Sequence, residues 1–592
     1  MVLLASPAAL ASTECLIEVR SAEDMGKEIL VTIAYGLTVN DPGLALYRDR
    51  QIVDLSAEPR TVTVSVEHQD TRKTVHFSET ALAQIKSRLD QLGISPNCFS
   101  WRPEYVETAS PYPGLEGFGE NDAGLFFGRG GDIARGLADI RRMRRNMTSR
   151  VLVVQAASGA GKSSFLRAGL WPRLKRDPDF NPLAILRPAT GVITGDAGLS
   201  RGLAAWFATR KRPGMTARAI QNSLGKPEDE AVLDLALFIN EAVALAHEVR
   251  KITTPEALPP APVLAIDQAE ELIADAEKEE SRHFLRILSA LLRPPGHGGA
   301  TEVRLTAPLI VLLTIRADSV DALLHAATDV GLEAPHLFPL PPLAREAYRD
   351  IILKPVEVAH AAGMRLAIDE DLADRLVQDS DGADALPLLA FTLKQLLADY
   401  RSGSDARLTM AQYQESGGVG GALAQRLRAA QKSAGFDNTH GDALKRLFIP
   451  MLTTWDDEAT PPGAKRLVAD EAELFAGERA GLRKLADSLV EERLLTRSGG
   501  TGGSATLEVA HEALLRQPPL SKWLEESEEF LIWRKRLARS REAFEANERG
   551  LLIGRELQIA RDRDWVERQD GTDLGRRDLR GAGPTQGPPG SG

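Results

Sequence analysis

Val151-Leu-Val-Val-Gln-Ala-Ala-Ser-Gly-Ala-Gly-Lys-Ser-Ser164 carries the strongest structural signal in this chain. It begins with the apolar, β-branched run Val151–Val154, which is typical of a buried strand. Leucines at 166, 170 and 174 then recur on one face of a predicted helix. A buried strand that passes through a glycine-rich turn into a helix is the setting of a phosphate-binding loop, or P-loop. The usual first glycine of that motif is Ala156 here, and residues 156–164 are predicted to bind polyphosphate.

This loop offers both main-chain and side-chain groups to a phosphate. Successive N–H groups of residues 158–162 can form a concave nest at the positive N-terminus of the following helix. We expect Lys162 to contact the β- and γ-phosphates and the Ser163 hydroxyl to ligate Mg²⁺. Glycines 159 and 161 let the main chain approach the ligand closely. The predicted nucleotide-binding residues of the loop are Ala156, Ser158, Gly159, Ala160, Gly161, Lys162, Ser163 and Ser164.

A second apolar run, Val263–Ile266, is followed by Asp267-Gln-Ala-Glu270-Glu271. A metal ion beside Ser163 needs a carboxylate from a neighbouring strand, and Asp267 is the predicted second Mg²⁺ ligand. Glu270 or Glu271 is the candidate to polarise the attacking water. An acidic residue after a strand is also a common helix N-cap, so this assignment depends on its pairing with the P-loop.

A third apolar run, Leu309–Ile315, leads into Arg316-Ala-Asp318. The planar donors of Arg316 suit the charge of a γ-phosphate, and we assign this residue a catalytic role. The simpler interpretation is a surface ion pair between Arg316 and Asp318.

Apolar runs alternate with helical stretches from Val151 onward, and this alternation predicts an α/β fold with a parallel sheet buried on both faces. Two prolines and a glycine in Ser110–Gly114 indicate a linker into that domain. From about Pro339 we expect the strands to stop, until a hairpin of Leu494–Arg497 and Thr506–Val509 that outlines a winged helix. The expected segments are an α/β segment at 1–105, a P-loop NTPase core at 106–335, a helical lid at 336–437, a winged-helix domain at 438–525, and a charged helix with a disordered Gly/Pro tail at 526–592.

The composition narrows the possible functions of the 592-residue chain. With 72 Lys and Arg against 83 Asp and Glu, its net charge is −11, which makes nucleic acid an unlikely partner. Its two cysteines, Cys15 and Cys98, show no zinc spacing and fit a reducing cytoplasm. No apolar run approaches the roughly 20 residues that span a bilayer. The apolar start resembles a signal peptide, but the first basic residue is Arg20. We therefore expect a cytoplasmic protein with no membrane partner.

Given these motifs, residues 111–525 resemble the nucleotide-binding module of bacterial STAND NTPases, relatives of the NB-ARC switches of immune receptors. Pro111-Tyr-Pro-Gly-Leu115 and Phe126-Phe-Gly128-Arg129 look like the family segment that leads into the adenine pocket. Ala385-Leu-Pro387-Leu-Leu389 looks like the lid motif whose proline touches adenine, and Val509-Ala-His511-Glu512 like the motif whose histidine contacts the ADP β-phosphate. The resemblance thus implies that Gly128, Arg129, Pro387 and His511 bind nucleotide. Taken alone, a histidine such as His511 is more often a helix cap or a core residue.

Residues 1–105 resemble the C-terminal half of a TIR domain. They contain a predicted strand at Val2–Ala5, a helix from about Ser12 to Met25 and a strand at Ile29–Ile33. Ser12-Thr-Glu-Cys-Leu-Ile-Glu18 places Glu18 where TIR enzymes that cleave NAD carry their catalytic glutamate. The strands that would complete an NAD pocket are missing from this sequence. We therefore predict that the chain as given does not hydrolyse NAD.

The resemblance implies a slow ATPase that acts as a two-state switch with ATP or ADP and Mg²⁺. ADP is expected to hold a closed form, and ATP to favour an open form whose self-association controls the TIR-like effector in bacterial defence or stress signalling. The sensor and its trigger are not identifiable from the sequence. Two alternatives are an AAA+-like ATPase that binds DNA through its winged helix, and a nucleotide-bound scaffold without turnover.

Overall fold

The computed structural model describes most of the chain. The described ranges are 2–24, 29–33, 37–47, 52–68, 71–91, 95–104, 106, 108–146, 149–212, 214–253, 258–274, 279–293, 305–332, 334–380, 385–436, 441–456, 462–475, 481–498 and 505–545. The expected Gly/Pro tail therefore lies outside the described residues. Within these ranges no helix is both long enough and apolar enough to cross a membrane. The chain divides into two compact units: residues 1–100 with 130–146, and residues 101–129 with 147 onward.

The first unit is built on a small parallel sheet. Its elements are β1 (Val2–Ala5), α1 (Pro7–Ala11), α2 (Thr13–Asp24), β2 (Leu30–Ile33), β3 (Ile52–Asp54), β4 (Val62–His68), β5 (Thr71–Phe77), α3 (Glu79–Gln91) and α4 (Gly130–Asn146). The sheet order is β1-β2-β3, and Ala5, Val31 and Ile33 are fully buried in its core. The two predicted strands are confirmed, whereas the helix predicted from Ser12 is preceded by a separate short helix that Ser6 caps. The antiparallel hairpin β4–β5 was not expected.

The second unit contains the sheet that carries the P-loop. Its α/β elements are β6 (Val151–Ala156), α5 (Lys162–Ser164), α6 (Trp171–Arg176), β7 (Phe180–Leu186), α7 (Leu199–Ala208), α8 (Ala217–Leu224), α9 (Glu228–Thr253), β8 (Ala261–Ile266), α10 (Ala269–Ala274), α11 (Glu279–Leu292), β9 (Ile310–Arg316), α12 (Val320–Asp329) and β10 (His336–Pro339). All five strands are parallel, in the order β10-β6-β9-β8-β7. The predicted parallel sheet is confirmed, and its apolar strands are almost wholly buried, as a sheet covered on both faces requires.

Helices predominate after β10, but strands do not stop at Pro339. The next elements are α13 (Arg345–Ala361), β11 (Arg365–Ile368), α14 (Glu370–Asp379), α15 (Ala385–Tyr400), β12 (Asp405–Leu408), α16 (Met410–Glu415) and α17 (Gly418–Ser433). Strands β11 and β12 form a parallel pair, so the expectation of helices alone was wrong here. Each strand has only four residues, and its inward side chains, Leu366 and Leu408, are fully buried beneath the helices.

The last described part of the unit mixes short strands and helices. Its elements are α18 (Gly441–Leu447), β13 (Thr453–Asp456), β14 (Gly463–Arg466), β15 (Ala469–Asp470), α19 (Glu471–Leu474), α20 (Arg483–Glu491), β16 (Leu495–Ser498), β17 (Thr506–Val509), α21 (Leu520–Glu525) and α22 (Glu528–Glu545). Strands β16 and β17 pair antiparallel, which confirms the predicted hairpin, although most of its glycine-rich turn lies outside the described residues. The winged-helix assignment and the domain boundaries stay predictions.

Candidate nucleotide-binding site

The predicted P-loop connects the end of β6 to the start of α5. Gly159 and Gly161 have φ angles of +79° and +85°, a left-handed conformation that side chains disfavour and glycine adopts freely. The Gly161 carbonyl accepts the Phe165 N–H at 2.8 Å, which begins the helix immediately after the loop. The helix N-terminus, with its positive end and its main-chain donors, therefore points at the loop, as anion binding requires.

Lys162 folds back over this loop. Its ammonium donates to the carbonyl oxygens of Ala156 at 3.1 Å and Ala157 at 2.9 Å. Burial lowers the pKa of Lys162, and the nearby carboxylate of Glu270 opposes that shift. The ammonium thus lies inside the turn that is predicted to surround the phosphates.

The two predicted metal ligands lie in direct contact. The Ser163 hydroxyl donates to Oδ1 of Asp267 at 2.8 Å, and the aspartate, which directly follows β8, is only 1% exposed. A hydroxyl and a carboxylate are the hard oxygen ligands that Mg²⁺ prefers, with phosphate and water completing its shell. The described residues contain no cluster of three or more His, Cys, Asp or Glu that would suit another metal. The donor set therefore fits Mg²⁺ bound together with a polyphosphate.

Two further residues, which sequence reasoning missed, hold the same carboxylate. The Thr314 hydroxyl donates to Oδ1 of Asp267 at 2.6 Å, and Arg167 Nε donates to Oδ2 at 2.9 Å. Thr314 also accepts the N–H of Gln268 at 2.9 Å, a residue held at a φ of +63°. A single threonine inside the apolar run of β9 is the signal that could have revealed the first of these contacts.

The structure separates the two candidate water-polarising glutamates. Burial raises the pKa of Glu270, and Lys162 and Arg316 oppose the shift, so this carboxyl lies in the field of the P-loop lysine. Glu271 instead faces Arg187, whose Nη2 lies 3.3 Å from its Oε1. Burial raises the pKa of Glu271 as well, opposed by Arg187. Glu270 is thus the candidate beside the loop, and its Oε2 atom has no hydrogen-bond partner among the described residues.

Arg316 ends β9 directly beside Ala156 of the P-loop strand. Its Nε and Nη2 bond to the Asp318 carboxylate at 3.2 and 3.0 Å, so the simpler ion-pair interpretation is part of the arrangement. Although burial opposes the effect, Arg316 lowers the pKa of Asp318 to about 2. Nη1 of Arg316 donates to Oε1 of Glu512 at 2.7 Å, a contact that the sequence analysis did not anticipate.

Glu512 brings the C-terminal part of the unit to the P-loop. Its side chain is 4% exposed, and the Ser158 side chain also hydrogen-bonds to it. Burial raises the pKa of Glu512, but Arg316, Arg466 and Ser158 together outweigh that effect and hold it below its usual value. The carboxylate therefore lies as an anion between a P-loop residue and the arginine of the neighbouring strand.

Further ion pairs surround this contact. Glu508 on β17 accepts from Arg187 at 2.9 Å, and its other oxygen lies 3.1 Å from Nη1 of Arg466. Lys465 on β14 lies 3.2 Å from Asp318. Strands β14 and β17 and Glu512 are thus attached to the carboxyl ends of β7 and β9 by several charged contacts.

His511 acts as a helix cap in this structure. Its Nδ1 accepts the Ala513 N–H at 3.1 Å, at the start of the 3₁₀ turn Glu512–Arg516. This is the capping role that a lone histidine most often has. Its contact with a nucleotide phosphate stays a prediction.

The other predicted nucleotide-binding residues take supporting positions around the loop. Arg129 is 4% exposed and donates to the carbonyls of Pro341 at 2.7 Å and Ala160 at 3.0 Å. It therefore ties the P-loop to the segment that follows β10. Ser164 Oγ accepts the N–H of Phe118 at 3.0 Å. Gly128 has a φ of +83°, and Pro387 lies half-buried in the first turn of α15.

Glu18 lies in the first unit, on α2, where its side chain is exposed. Its role in NAD chemistry stays a prediction.

Comparison with protein families matches the model described as "Novel STAND NTPase 1" (nSTAND1) to residues 111–550. The chain belongs to the nSTAND1 family. It is a nucleotide-binding NTPase, and the P-loop described above lies inside the matched region. The comparisons give no evidence for a TIR domain in residues 1–105. No curated protein matches the nSTAND1 chain.

Several solved structures match this nSTAND1 chain at low sequence identity. Aeropyrum pernix ORC1 in complex with DNA is 14% identical, with 71% of this chain and 96% of that chain covered and a TM-score of 0.30. The ADP form of Aeropyrum pernix ORC2 is 13% identical, with 68% and 93% covered and a TM-score of 0.34. CDC6P from Pyrobaculum aerophilum is 14% identical, with 67% and 94% covered and a TM-score of 0.29.

Proposed function

We propose that this nSTAND1 chain is an ATP/ADP-dependent switch that hydrolyses ATP slowly. ADP favours a closed form in which residues 463–516 rest on the nucleotide site. ATP favours an open form that self-associates.

The contact between Arg316 and Glu512 carries this proposal. Arg316 lies at the carboxyl edge of the sheet beside the P-loop strand, where the γ-phosphate of a bound triphosphate is expected. Its guanidinium bonds to the Glu512 carboxylate at 2.7 Å. A γ-phosphate and this carboxylate are both anions, so they compete for the same arginine. ADP has no γ-phosphate and leaves the carboxylate in place, whereas ATP displaces it.

The free energies involved are of the required size. Moving a switch from 1:99 to 99:1 takes about 5.5 kcal/mol of differential binding. Leaving one member of a buried ion pair without its partner costs about 3–5 kcal/mol. The more exposed pair between Lys465 and Asp318 contributes at most about 1 kcal/mol. Competition for Arg316 therefore supplies much of the difference, whereas the pairs of Glu508 stabilise the closed form with either nucleotide.

The same site accounts for slow hydrolysis. Ser163 and Asp267 would hold Mg²⁺, which when bound neutralises phosphate charge. The main-chain N–H groups of the loop and Lys162 bind and orient the phosphates. Glu270 orients the attacking water and accepts its proton. Without residues supplied by a partner, turnover in such switches is about 10⁻⁴ to 10⁻² s⁻¹.

Nucleotide retention and size measured together test the proposal. The purified chain is expected to bind ADP and ATP, to become larger in light scattering with ATP, and to release phosphate slowly. Lys162→Ala should abolish all three effects. A matched control is Lys175→Ala, which removes a lysine that pairs with Glu120 on the surface. Failure of the wild-type chain to bind either nucleotide would overturn the proposal, and binding without phosphate release would favour the scaffold alternative.

An effector role for residues 1–105, under the control of self-association, and a part in bacterial defence belong to the same proposal. They rest on the resemblance of Ser12–Glu18 to a TIR motif. Measured conversion of NAD to nicotinamide that disappears in Glu18→Ala would show that the first unit is an enzyme, against our expectation.

The DNA-binding alternative gains little from the structure. The basic residues on α22 that would favour it begin with Arg534 and Lys535. The Arg534 guanidinium contacts the sulfur of Met451 at 3.7 Å, and Lys535 lies 3.9 Å from Asp456. These contacts turn both side chains toward the protein. Duplex binding with a steep salt dependence would nevertheless restore this alternative.

A further inference from the structure

Arg167 joins the nucleotide site without any role in the predicted motifs. It lies in the π-helical turns Phe165–Leu170 that follow α5. Its Nε donates to Oδ2 of Asp267 at 2.9 Å. The arginine side chain is 40% exposed, whereas the aspartate side chain is 1% exposed. A partly solvated cation is thus paired with a buried anion.

The two oxygens of Asp267 have different partners. Oδ1 accepts both the Ser163 and the Thr314 hydroxyls, at 2.8 and 2.6 Å. Oδ2 is therefore the oxygen that remains for a metal ion or for a water of its shell, and Arg167 holds this oxygen. Arg167 and Mg²⁺ compete for Oδ2, because two cations held at one oxygen repel each other.

We propose that Arg167 is a positioning residue that substitutes for Mg²⁺ at Asp267. When ADP binds without metal, the guanidinium neutralises a buried carboxylate that would otherwise repel the β-phosphate. When Mg²⁺ enters with ATP, Arg167 leaves Oδ2 and extends into the solvent that already reaches it. The inference rests on the proposed function, because it requires nucleotide binding at the P-loop.

The charge balance of the site supports this role. A buried carboxylate is costly unless a cation or several donors compensate it. The two hydroxyls supply hydrogen bonds but no charge, so Arg167 is the cation in direct contact with Asp267 among the described residues. ADP affinity should then depend little on Mg²⁺, which would let the closed form persist when free metal is scarce.

The experiment compares ADP affinity by calorimetry in excess EDTA and in excess MgCl₂. For the wild-type chain the two dissociation constants should be similar. Arg167→Ala should weaken ADP binding in EDTA and change it little in MgCl₂, so that the ratio of the two constants rises about tenfold. Arg167→Lys should restore part of the ADP affinity that is lost in EDTA, because it keeps the charge. Arg176→Ala, which removes an arginine from the exposed end of α6, serves as the control.

A second measurement guards against a general folding defect. Binding of Mn²⁺ to the ADP complex, followed by electron paramagnetic resonance, should become tighter in Arg167→Ala because Oδ2 is released. A structural defect would weaken both ligands instead. An unchanged ratio, or equal weakening of ADP in both conditions, would overturn the role of Arg167 and leave the switch intact. Wild-type protein that binds no ADP in either condition would overturn the switch itself.

Discussion

Nη1 of Arg316 lies 2.7 Å from Oε1 of Glu512, although 196 positions separate the two residues in the chain. One ends the strand beside the P-loop, and the other begins a 3₁₀ turn near the C-terminal end of the described chain. The contact links the nucleotide edge of the sheet to residues 463–516. The Glu512 carboxylate thus lies where a γ-phosphate is expected. The Arg167 guanidinium, on Asp267, lies where Mg²⁺ is expected.

Glu512→Gln should shift the switch toward its open form. The amide keeps the shape of the side chain but loses the charge that competes with a γ-phosphate. We expect the ratio of ATP to ADP affinity to rise about tenfold, and the ATP-bound chain to self-associate at lower concentration. Light scattering and competition binding measure both effects. Glu526→Gln, which breaks the surface pair with Lys445, is the control, and equal behaviour of the two variants would contradict the competition.

Arg316→Gln should impair ATP hydrolysis and leave ADP binding nearly unchanged. ADP affinity should stay within a few-fold of the wild-type value, whereas phosphate release should fall about 10²- to 10³-fold, since one donor to the developing charge is lost. Single-turnover kinetics at saturating ATP measures the chemical step. The control is Arg365→Gln, an exposed partner of Asp405. Normal turnover in Arg316→Gln would show that this arginine does not contact the reacting phosphate.

Glu270→Gln and Glu271→Gln form a matched pair. Burial raises the pKa of Glu270, so hydrolysis should rise with pH as this carboxyl loses its proton, with its midpoint above that of an ordinary glutamate. Glu270→Gln should remove this pH dependence and lower turnover about 10²- to 10⁴-fold, with ATP binding preserved. Glu271→Gln loses a contact with Arg187 and should keep the pH profile. If the pH dependence disappeared in Glu271→Gln and persisted in Glu270→Gln, Glu271 would be the residue that polarises the attacking water.

The parts of the site that the sequence could predict are those with local signals. The P-loop, Asp267 and Arg316 each follow an apolar run, and parallel strands bring their carboxyl ends to one edge. The sequence analysis did not predict the strand pair β11–β12, because a four-residue strand is too short to show a clear alternation of apolar and polar residues. The hairpin β4–β5 was detectable, since the alternating valines at 62, 64 and 66 are a period-2 signal that the resemblance to an incomplete TIR domain obscured.

The contacts of Glu512 with the P-loop could not be predicted from the sequence, because they depend on the tertiary fold. Glu512 reaches Ser158 and Arg316 only because the tertiary fold brings the end of β17 to the P-loop. No pattern in the sequence marks which of the 83 acidic residues does so. His511, which the family resemblance emphasised, caps a turn, while the next residue makes the contact with the P-loop. The resemblance pointed to the segment that reaches the P-loop, and the contact of His511 with a nucleotide phosphate stays a prediction.

Thr314→Val should lower both the stability of the chain and its affinity for nucleotide. The hydroxyl is fully buried, donates to Asp267 and accepts the Gln268 N–H, so a methyl group leaves both partners without this bond. We expect a loss of about 1–3 kcal/mol in unfolding free energy and weaker nucleotide binding. Thr392→Val removes an equally buried hydroxyl that bonds only to Leu388 within α15. It should destabilise the chain less and leave nucleotide affinity unchanged. Chemical unfolding and calorimetry compare the two variants, and equal loss of nucleotide affinity in both would show that Thr314 acts through general stability rather than through Asp267.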